Sequence, residues 1–339
     1  MTSIVSDDII LSWFVAKVRI FSIKLLHELI KMNKVNNRTI LIAGPTGSGK
    51  SNLAIKIAQK CKGIIINADS MQIYKQLSIV TARPSIEDEA NTPHFLYGNV
   101  DANKRYSAGD WLESAKDIIT FTEKLDLVTV IVGGTGLYFD SLFGSLSNIP
   151  GISDKIRKKW LGIKNDMGSS YLYQQLLQLD PAVAASLNPN DSNRIIRALE
   201  VFEETGISIQ EWRRSSGDKV IPSHNSVRIF LNPNKDCLHL NIRNRTNRML
   251  QIDCIQEIEE LIKNNISDEF PIMKAIGVSQ LSALIDGKFN KQEAIDSINL
   301  LTKRYAKRQL TWARKKMVDW EWIDPVDLRV ENILSKIAQ

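Results

Sequence analysis

One stretch, Gly44-Pro45-Thr46-Gly47-Ser48-Gly49-Lys50-Ser51, limits what this chain can fold into more than any other. It follows the apolar run Ile40-Leu41-Ile42-Ala43 and precedes Asn52-Leu53-Ala54-Ile55-Lys56-Ile57-Ala58, so it reads as strand, glycine loop, helix. In that context G-x-x-x-x-G-K-[ST] is a phosphate cradle. Backbone N–H groups turn inward to phosphate oxygens, and the helix N-terminus adds positive potential. Gly44, Thr46, Gly47, Ser48 and Gly49 belong to the loop, Lys50 neutralises a phosphate, and the Ser51 hydroxyl is the candidate ligand for Mg²⁺. Such a loop asks for a diphosphate or triphosphate and does not by itself ask for a nucleotide.

Around the loop, residues 38–143 alternate short apolar runs with helical patterns, which predicts a parallel α/β sheet. Strands are expected at 39–43, 63–67 and 127–132, with the turns at their carboxyl ends converging on one crevice. From Pro150 to about Gly217 the pattern becomes helical, as in Ile195-Ile196 with Leu199 and Phe202, and Asp191 is placed to cap a helix beginning near Ser192. A return strand is expected at 227–231, followed by mostly helical sequence. The expected fold is therefore α/β: a P-loop parallel-sheet core with a helical insertion domain and a helical C-terminal region. The boundaries expected are an N-terminal extension at 1–36, the first part of the core at 37–150, the insertion at 151–225, and the completion of the core at 226–339.

With 339 residues, 43% of them hydrophobic, the chain can bury a sizeable core in two or three structural units. Cys61, Cys237 and Cys254 are far apart and lack C-x-x-C spacing, so neither a disulfide framework nor a thiolate zinc site is indicated. His27, His94, His224 and His239 are scattered without metal-ligand spacing. No apolar run reaches the roughly 20 residues of a membrane span, and a cytoplasmic monomer without membrane attachment is expected. The first 31 residues are apolar with Lys17, Arg19 and Lys24 interspersed, which is not the order of a signal peptide. They read as an appended or mis-assigned N-terminus that carries no chemistry, with Met32 as a natural start.

Three further constellations carry chemistry. Asp69 lies just past the second apolar strand, where it can hold Mg²⁺ through water, take a proton from an acceptor nucleophile, or simply cap a helix. The third strand ends in Gly133-Gly134-Thr135-Gly136 and not in the aspartate of an ordinary nucleotide hydrolase. Its glycines allow close backbone approach, and Thr135 offers a hydroxyl. The net charge of +6 is modest but unevenly placed. Arg194 and Arg197 share a helix face, Arg243, Arg245 and Arg248 fall within six residues, and seven cations lie between Thr302 and Met317 with Tyr305 and Trp312 among them and no acid. Cations interleaved with aromatics suit phosphate-backbone contact and base stacking.

The order of motifs then becomes recognisable. The glycine loop, Asp69-Ser70-Met71-Gln72-Ile73-Tyr74-Lys75, Thr81-Ala82-Arg83-Pro84, Gly133-Gly134-Thr135-Gly136-Leu137-Tyr138, Asn193-Arg194-Ile195-Ile196-Arg197-Ala198-Leu199-Glu200-Val201 and Tyr305-Ala306-Lys307-Arg308-Gln309-Leu310-Thr311-Trp312 together resemble the tRNA dimethylallyltransferase (IPP transferase) family, in its bacterial form, over about residues 38–322. The resemblance implies transfer of the dimethylallyl group of dimethylallyl diphosphate to N6 of the adenosine 3′ of the anticodon, position 37 of tRNA, with release of diphosphate. It further implies that Asp69 is the general base, that Thr135 contacts the same adenine, and that Arg245 is associated with the diphosphate. By the same resemblance, Asp69, Ser70, Met71, Gln72, Thr135, Arg157, Asn193, Arg194, Ile195, Ile196 and Arg197 contact tRNA. Asn241 stands where family members commonly carry arginine, Gly277-Val278-Ser279-Gln280 replaces a more usual G-Y-K-E, and the zinc finger of eukaryotic members is absent.

Two other enzymes and one non-enzyme compete with this reading. An adenylate isopentenyltransferase shares the loop and the aspartate but uses free AMP, ADP or ATP, and would need neither the insertion nor the basic C-terminal helices. A P-loop small-molecule kinase would want an arginine lid and an adenine pocket. A non-enzymatic RNA-binding protein would have no use for Lys50, Ser51 and Asp69 together.

Overall fold

The computed structural model describes residues 39–214, 217–222 and 226–338. The N-terminal extension, with His27, and also His224 lie outside the described residues. The chain divides into two compact units, one made of the sequence before Phe143 together with that from Ile221 onward, the other of residues 143–220.

The first unit is built on strands β1 (Thr39–Ala43), β2 (Ile64–Asn67), β3 (His94–Phe95), β4 (Thr129–Gly133), β5 (Ser226–Leu231) and β6 (Glu321–Ile323). All pairings are parallel, in the order β3-β2-β4-β1-β5-β6. Helices in the first half are α1 (Lys50–Cys61), α2 (Ile86–Asn91), α3 (Ala108–Lys124) and α4 (Gly136–Ser141). The sequences TILIA, IIIN and TVIVG explain the central strands. They are β-branched runs, and every residue is buried, as a parallel sheet covered on both faces requires. Ala43 pairs with Gly133 and Asn67 with Val132, so β1, β2 and β4 end at one level and their turns meet. The strand expected at 127–132, β4, starts two residues later than its apolar run, because the chain is still leaving α3: Leu127 N donates to Thr122 O at 3.0 Å, and Asp126 takes φ 54°.

The second unit contains α5 (Asp154–Leu179), α6 (Pro181–Ser186), α7 (Ser192–Thr205) and α8 (Ile209–Trp212). Its core includes Trp160, Leu172, Leu176, Val183, Ile195 and Leu199. The unit begins at Phe143 and not at 151, because Gly217 N donates to Gly144 O at 3.1 Å and closes its base. Asp191 caps α7, its carboxylate accepting from Arg194 N.

The chain returns to the first unit with α9 (Lys235–Met249), α10 (Cys254–Lys263), α11 (Val278–Ile285), α12 (Lys291–Lys316) and α13 (Val330–Ala338). Ile333 and Ile337 of α13 join Leu53 and Ile57 of α1 in one hydrophobic cluster. The strand β6 interrupts what the sequence predicts as helical. It spans three residues, too few to show an alternating pattern, and is held at the sheet edge by β5.

The level at which β2 stops is fixed from α3. Its Trp111 is fully buried, donates Nε1 to Asn67 O at 2.7 Å and stacks on Tyr138 of α4 with ring centroids 4.5 Å apart. Trp111→Phe removes that donor and leaves part of the indole volume empty. A loss of about 2 kcal/mol is expected, read as a lower urea midpoint for the first unit.

Candidate functional site

Asp69 is aimed by its neighbours. Asn67, fully buried, accepts Asp69 N at its Oδ1 (2.8 Å) and donates Nδ2 to Asp69 O (3.0 Å) and to Leu96 O (2.9 Å). This clasp turns the chain at the end of β2. Asp69 Oδ1 accepts Met71 N at 3.0 Å, while Oδ2 has no hydrogen-bond partner among the described residues. Across the crevice Thr135 Oγ1 accepts Ser70 N at 2.9 Å, tying the β4 turn to the β2 turn. Gln72 faces another way, donating Nε2 to Thr81 O and Ala82 O.

In the glycine loop, Ser48 N donates to Pro45 O at 3.1 Å, and Lys50 folds back so that Nζ donates to the same carbonyl at 3.2 Å. Burial lowers the Lys50 ammonium to about 8, the Asp69 charge opposing the shift and Arg245 adding to it. Arg245, from α9, donates Nη1 to Thr46 Oγ1 at 2.6 Å and Nη2 to Val80 O at 3.2 Å. Burial lowers its pKa too, with Asp69 again opposing, but a guanidinium keeps its charge. Asn241, one turn before Arg245, donates Nδ2 to Gly47 O at 3.0 Å and braces the loop with a neutral amide.

Arg245 is itself held by a residue that sequence reasoning passed over. Glu257 of α10 accepts Ser78 N (2.5 Å), Ser78 Oγ (2.9 Å), Ile79 N (2.8 Å) and Val80 N (2.9 Å). Four donors on one carboxylate lock the loop whose Val80 carbonyl orients the guanidinium. At the replaced motif, Gln280 Oε1 accepts Gly277 N at 2.9 Å, a local helix cap.

Asp69, Arg245 and the loop residue Thr46 line a cavity of about 240 Å³. Its polar lining includes Thr46, Asp69, Ser70, Arg245, Tyr305 and Arg308, with Thr81, Thr246, Lys274 and Thr302 also on the wall, and its aliphatic lining includes Val80, Ile242, Met249, Ile276 and Ile298. Tyr305 and Arg308 of α12 also line a second cavity of about 250 Å³, walled by Gly134, Thr135, Phe139, Phe230 and Trp312. Burial, with Asp69 nearby, pushes the Tyr305 phenol up, so it stays protonated, and it shares the wall of the second cavity with Thr135.

No group of three or more His, Cys, Asp or Glu is placed to hold a metal among the described residues. The glycine loop still fits a hard cation bound together with a phosphate. Ser51 opens α1 beside Lys50, and the buried Ser48 Oγ has no hydrogen-bond partner among the described residues. Few protein oxygens and many substrate oxygens is the donor set such ions take in phosphate sites. No helix among the described residues is long and apolar enough to cross a membrane.

In the helical unit, Arg157 Nε lies 3.4 Å and Arg197 Nη1 3.7 Å from opposite oxygens of the buried Glu200, and Arg194 Nε lies 3.3 Å from Asp191. Asn193 and Arg194 are exposed. Ile195 and Ile196 offer an RNA only their backbone. They are 0% and 6% exposed, with their side chains in the core of this unit. The apolar spacing to Leu199 is what turns them inward.

Comparison with known proteins agrees with this arrangement. The IPP transferase family model matches residues 72–316, and an isopentenyl transferase model matches residues 37–97. A tRNA dimethylallyltransferase of Allorhizobium ampelinum is 43% identical over 297 residues, 87% of this chain and 98% of that protein. Among solved structures, the tRNA isopentenylpyrophosphate transferase of Bacillus halodurans is similar with a TM-score of 0.62 at 30% identity, covering 89% of this chain and 95% of its own. A eukaryotic dimethylallyltransferase, solved acting on tRNA, is similar with a TM-score of 0.73 at 27% identity, covering 85% of this chain and 74% of its own. A family model running through most of the chain, and relatives matched over nearly their whole length, place this chain in the IPP transferase family.

Proposed function

We propose that this chain transfers the dimethylallyl group of dimethylallyl diphosphate to N6 of adenosine 37 in bacterial cytoplasmic tRNA. The observation that carries the reading is one cavity in which a carboxylate with a free oxygen, Asp69, shares space with the cations Arg245 and, at the loop beside it, Lys50, while Val80, Ile242, Met249, Ile276 and Ile298 give it an aliphatic wall. A kinase or hydrolase has no use for an aliphatic wall beside its phosphates. A five-carbon allylic chain does.

The residues divide the work. The loop N–H groups of Gly47, Gly49, Lys50 and Ser51, with the Lys50 ammonium and the Arg245 guanidinium, hold the diphosphate and stabilise the charge that grows on it as the allylic C–O bond breaks. Mg²⁺, held by the Ser51 hydroxyl and the diphosphate oxygens, would add charge neutralisation when bound. The N6 lone pair of adenine forms the new bond to C1, the C–O electron pair leaves with diphosphate, and the N6 proton passes to Asp69. Thr135, tethered to Ser70, contacts the same adenine. Aromatic walls past Thr135 offer faces on which a flipped base stacks.

RNA as the acceptor, and not a free adenylate, is supported by the basic face of α12 and by Arg157, Asn193, Arg194 and Arg197 of the helical unit. The names of the relatives point the same way. In α12, Arg304, Lys307, Arg308, Arg314 and Lys315 are exposed and make no ion pair among the described residues. Such a surface binds a phosphate backbone and is wasted on a mononucleotide.

Asp69→Asn keeps the acceptor for Met71 N but removes the base. Single-turnover transfer should fall by about 10²- to 10⁴-fold, while tRNA affinity in a filter-binding assay stays within a few fold. A parallel loss of tRNA binding would remove the base assignment. A second expectation concerns Lys50. Its charged form binds the anion, and its lowered pKa means that the free protein loses this charge as pH rises through about 8. Affinity for inorganic pyrophosphate should therefore weaken from pH 7 to pH 9.5, and Lys50→Arg should flatten that dependence.

A further inference from the structure

Gln309 is buried to 9% exposure in the middle of α12, and both ends of its amide are engaged on other elements. Oε1 accepts Thr46 N of the glycine loop at 2.9 Å, and Nε2 donates to Gly134 O of the β4 turn at 2.9 Å. The turn is shaped for this contact. A Cβ at Gly134 would lie 2.2 Å from Gln309 Nε2, and one at Gly136 would lie 2.3 Å from the Trp312 ring, so glycine at both positions lets α12 sit on the turn. Tyr305, Gln309 and Trp312 recur at helical spacing and form the face of α12 that seats on the site. The opposite face carries the exposed Lys307 and Arg314, while Arg308 reaches the cavities from beside Tyr305.

Thr46 stands where this matters. Its N–H is taken by Gln309 and its hydroxyl accepts from Arg245, so one residue links the loop, the guanidinium and the basic helix. The amide also decides which donors remain for an anion. Thr46 N goes to Gln309 and Ser48 N to Pro45 O, while Gly47, Gly49, Lys50 and Ser51 keep N–H groups that have no partner among the described residues.

We propose that Gln309 is a positioning residue for the diphosphate. It fixes the Thr46 peptide, and with it the curvature of the glycine loop, from a helix whose outer face carries the RNA-binding charge. It touches no reacting atom. This inference rests on the reading of the loop as a diphosphate cradle and adds that the cradle is not self-sufficient. A glutamine more than 260 residues away in sequence holds one wall of it.

Calorimetry with inorganic pyrophosphate, beside filter binding of an anticodon stem-loop RNA, tests this on the full chain. Gln309→Leu should weaken pyrophosphate affinity about tenfold, raise the KM for the allylic diphosphate in step, and leave RNA affinity within about twofold. Gln309→Glu supplies the decisive readout. Ionised, it has no proton for Gly134 O. Protonated, its O–H replaces the amide N–H. The ratio of Gln309→Glu to wild-type pyrophosphate affinity should therefore rise as pH falls from 8 to 5.5. Pyrophosphate affinity of Gln309→Leu within twofold of wild type would overturn the proposal. So would equal losses of pyrophosphate and RNA affinity, the mark of a purely structural role. Should the leucine variant not fold, a flat pH ratio for Gln309→Glu overturns it instead. If wild type itself fails to bind pyrophosphate, it is the diphosphate reading of the loop that falls.

Discussion

The site depends on holding opposite charges close together without letting them neutralise each other. Burial lowers the pKa of both Lys50 and Arg245 and the Asp69 charge opposes the shift at each, yet no ion pair joins Asp69 to either among the described residues. Each is restrained by neutral partners instead: Lys50 by Pro45 O, Arg245 by Thr46 Oγ1 and Val80 O, Asp69 by Met71 N and the Asn67 clasp. A direct salt bridge here would spend the carboxylate as a counter-ion and leave no base. Neutral tethers keep the cations available for an anion and the carboxylate available for a proton.

The parallel sheet makes this separation possible. Because β1, β2 and β4 end in register, the glycine loop, the aspartate turn and the Gly133-Gly134-Thr135-Gly136 turn arrive at one level from different strands. No single loop has to carry both signs of charge. The C-terminal helices then close the arrangement from outside: α9 brings Arg245, α10 brings Glu257 to lock the Val80 loop, and α12 lays Tyr305, Gln309 and Trp312 against the turns. In the helical unit a related device appears, where buried Glu200 orients Arg157 and Arg197 together.

What the sequence revealed and what it hid follow from range. The glycine loop, Asp69 and the β4 turn were legible because each is a local pattern, an apolar β-branched run followed by residues that cannot belong to a strand. The helical insertion was legible from periodicity, though its edge at Phe143 was not, since the hydrogen bonds at that edge, Gly217 N to Gly144 O and Ile221 N to Leu142 O, join residues more than 70 apart. The pairing of Ile195 with Leu199 already pointed inward, and both Ile195 and Ile196 are buried in the core of that unit. Gln309 and Glu257 were invisible for a different reason. Their partners lie 263 and about 178 residues away, and nothing in a polar residue on a polar helix announces such a contact. The spacing of Gln309 with Tyr305 and Trp312 was the one signal available.

The most direct test of the account offers the purified protein labelled dimethylallyl diphosphate and Mg²⁺, with unmodified tRNA in one reaction and AMP, ADP or ATP in others. Label should pass to N6 of the adenosine 3′ of the anticodon in tRNA and to none of the free nucleotides. Transfer to a free adenylate, or to no acceptor at all, would contradict it.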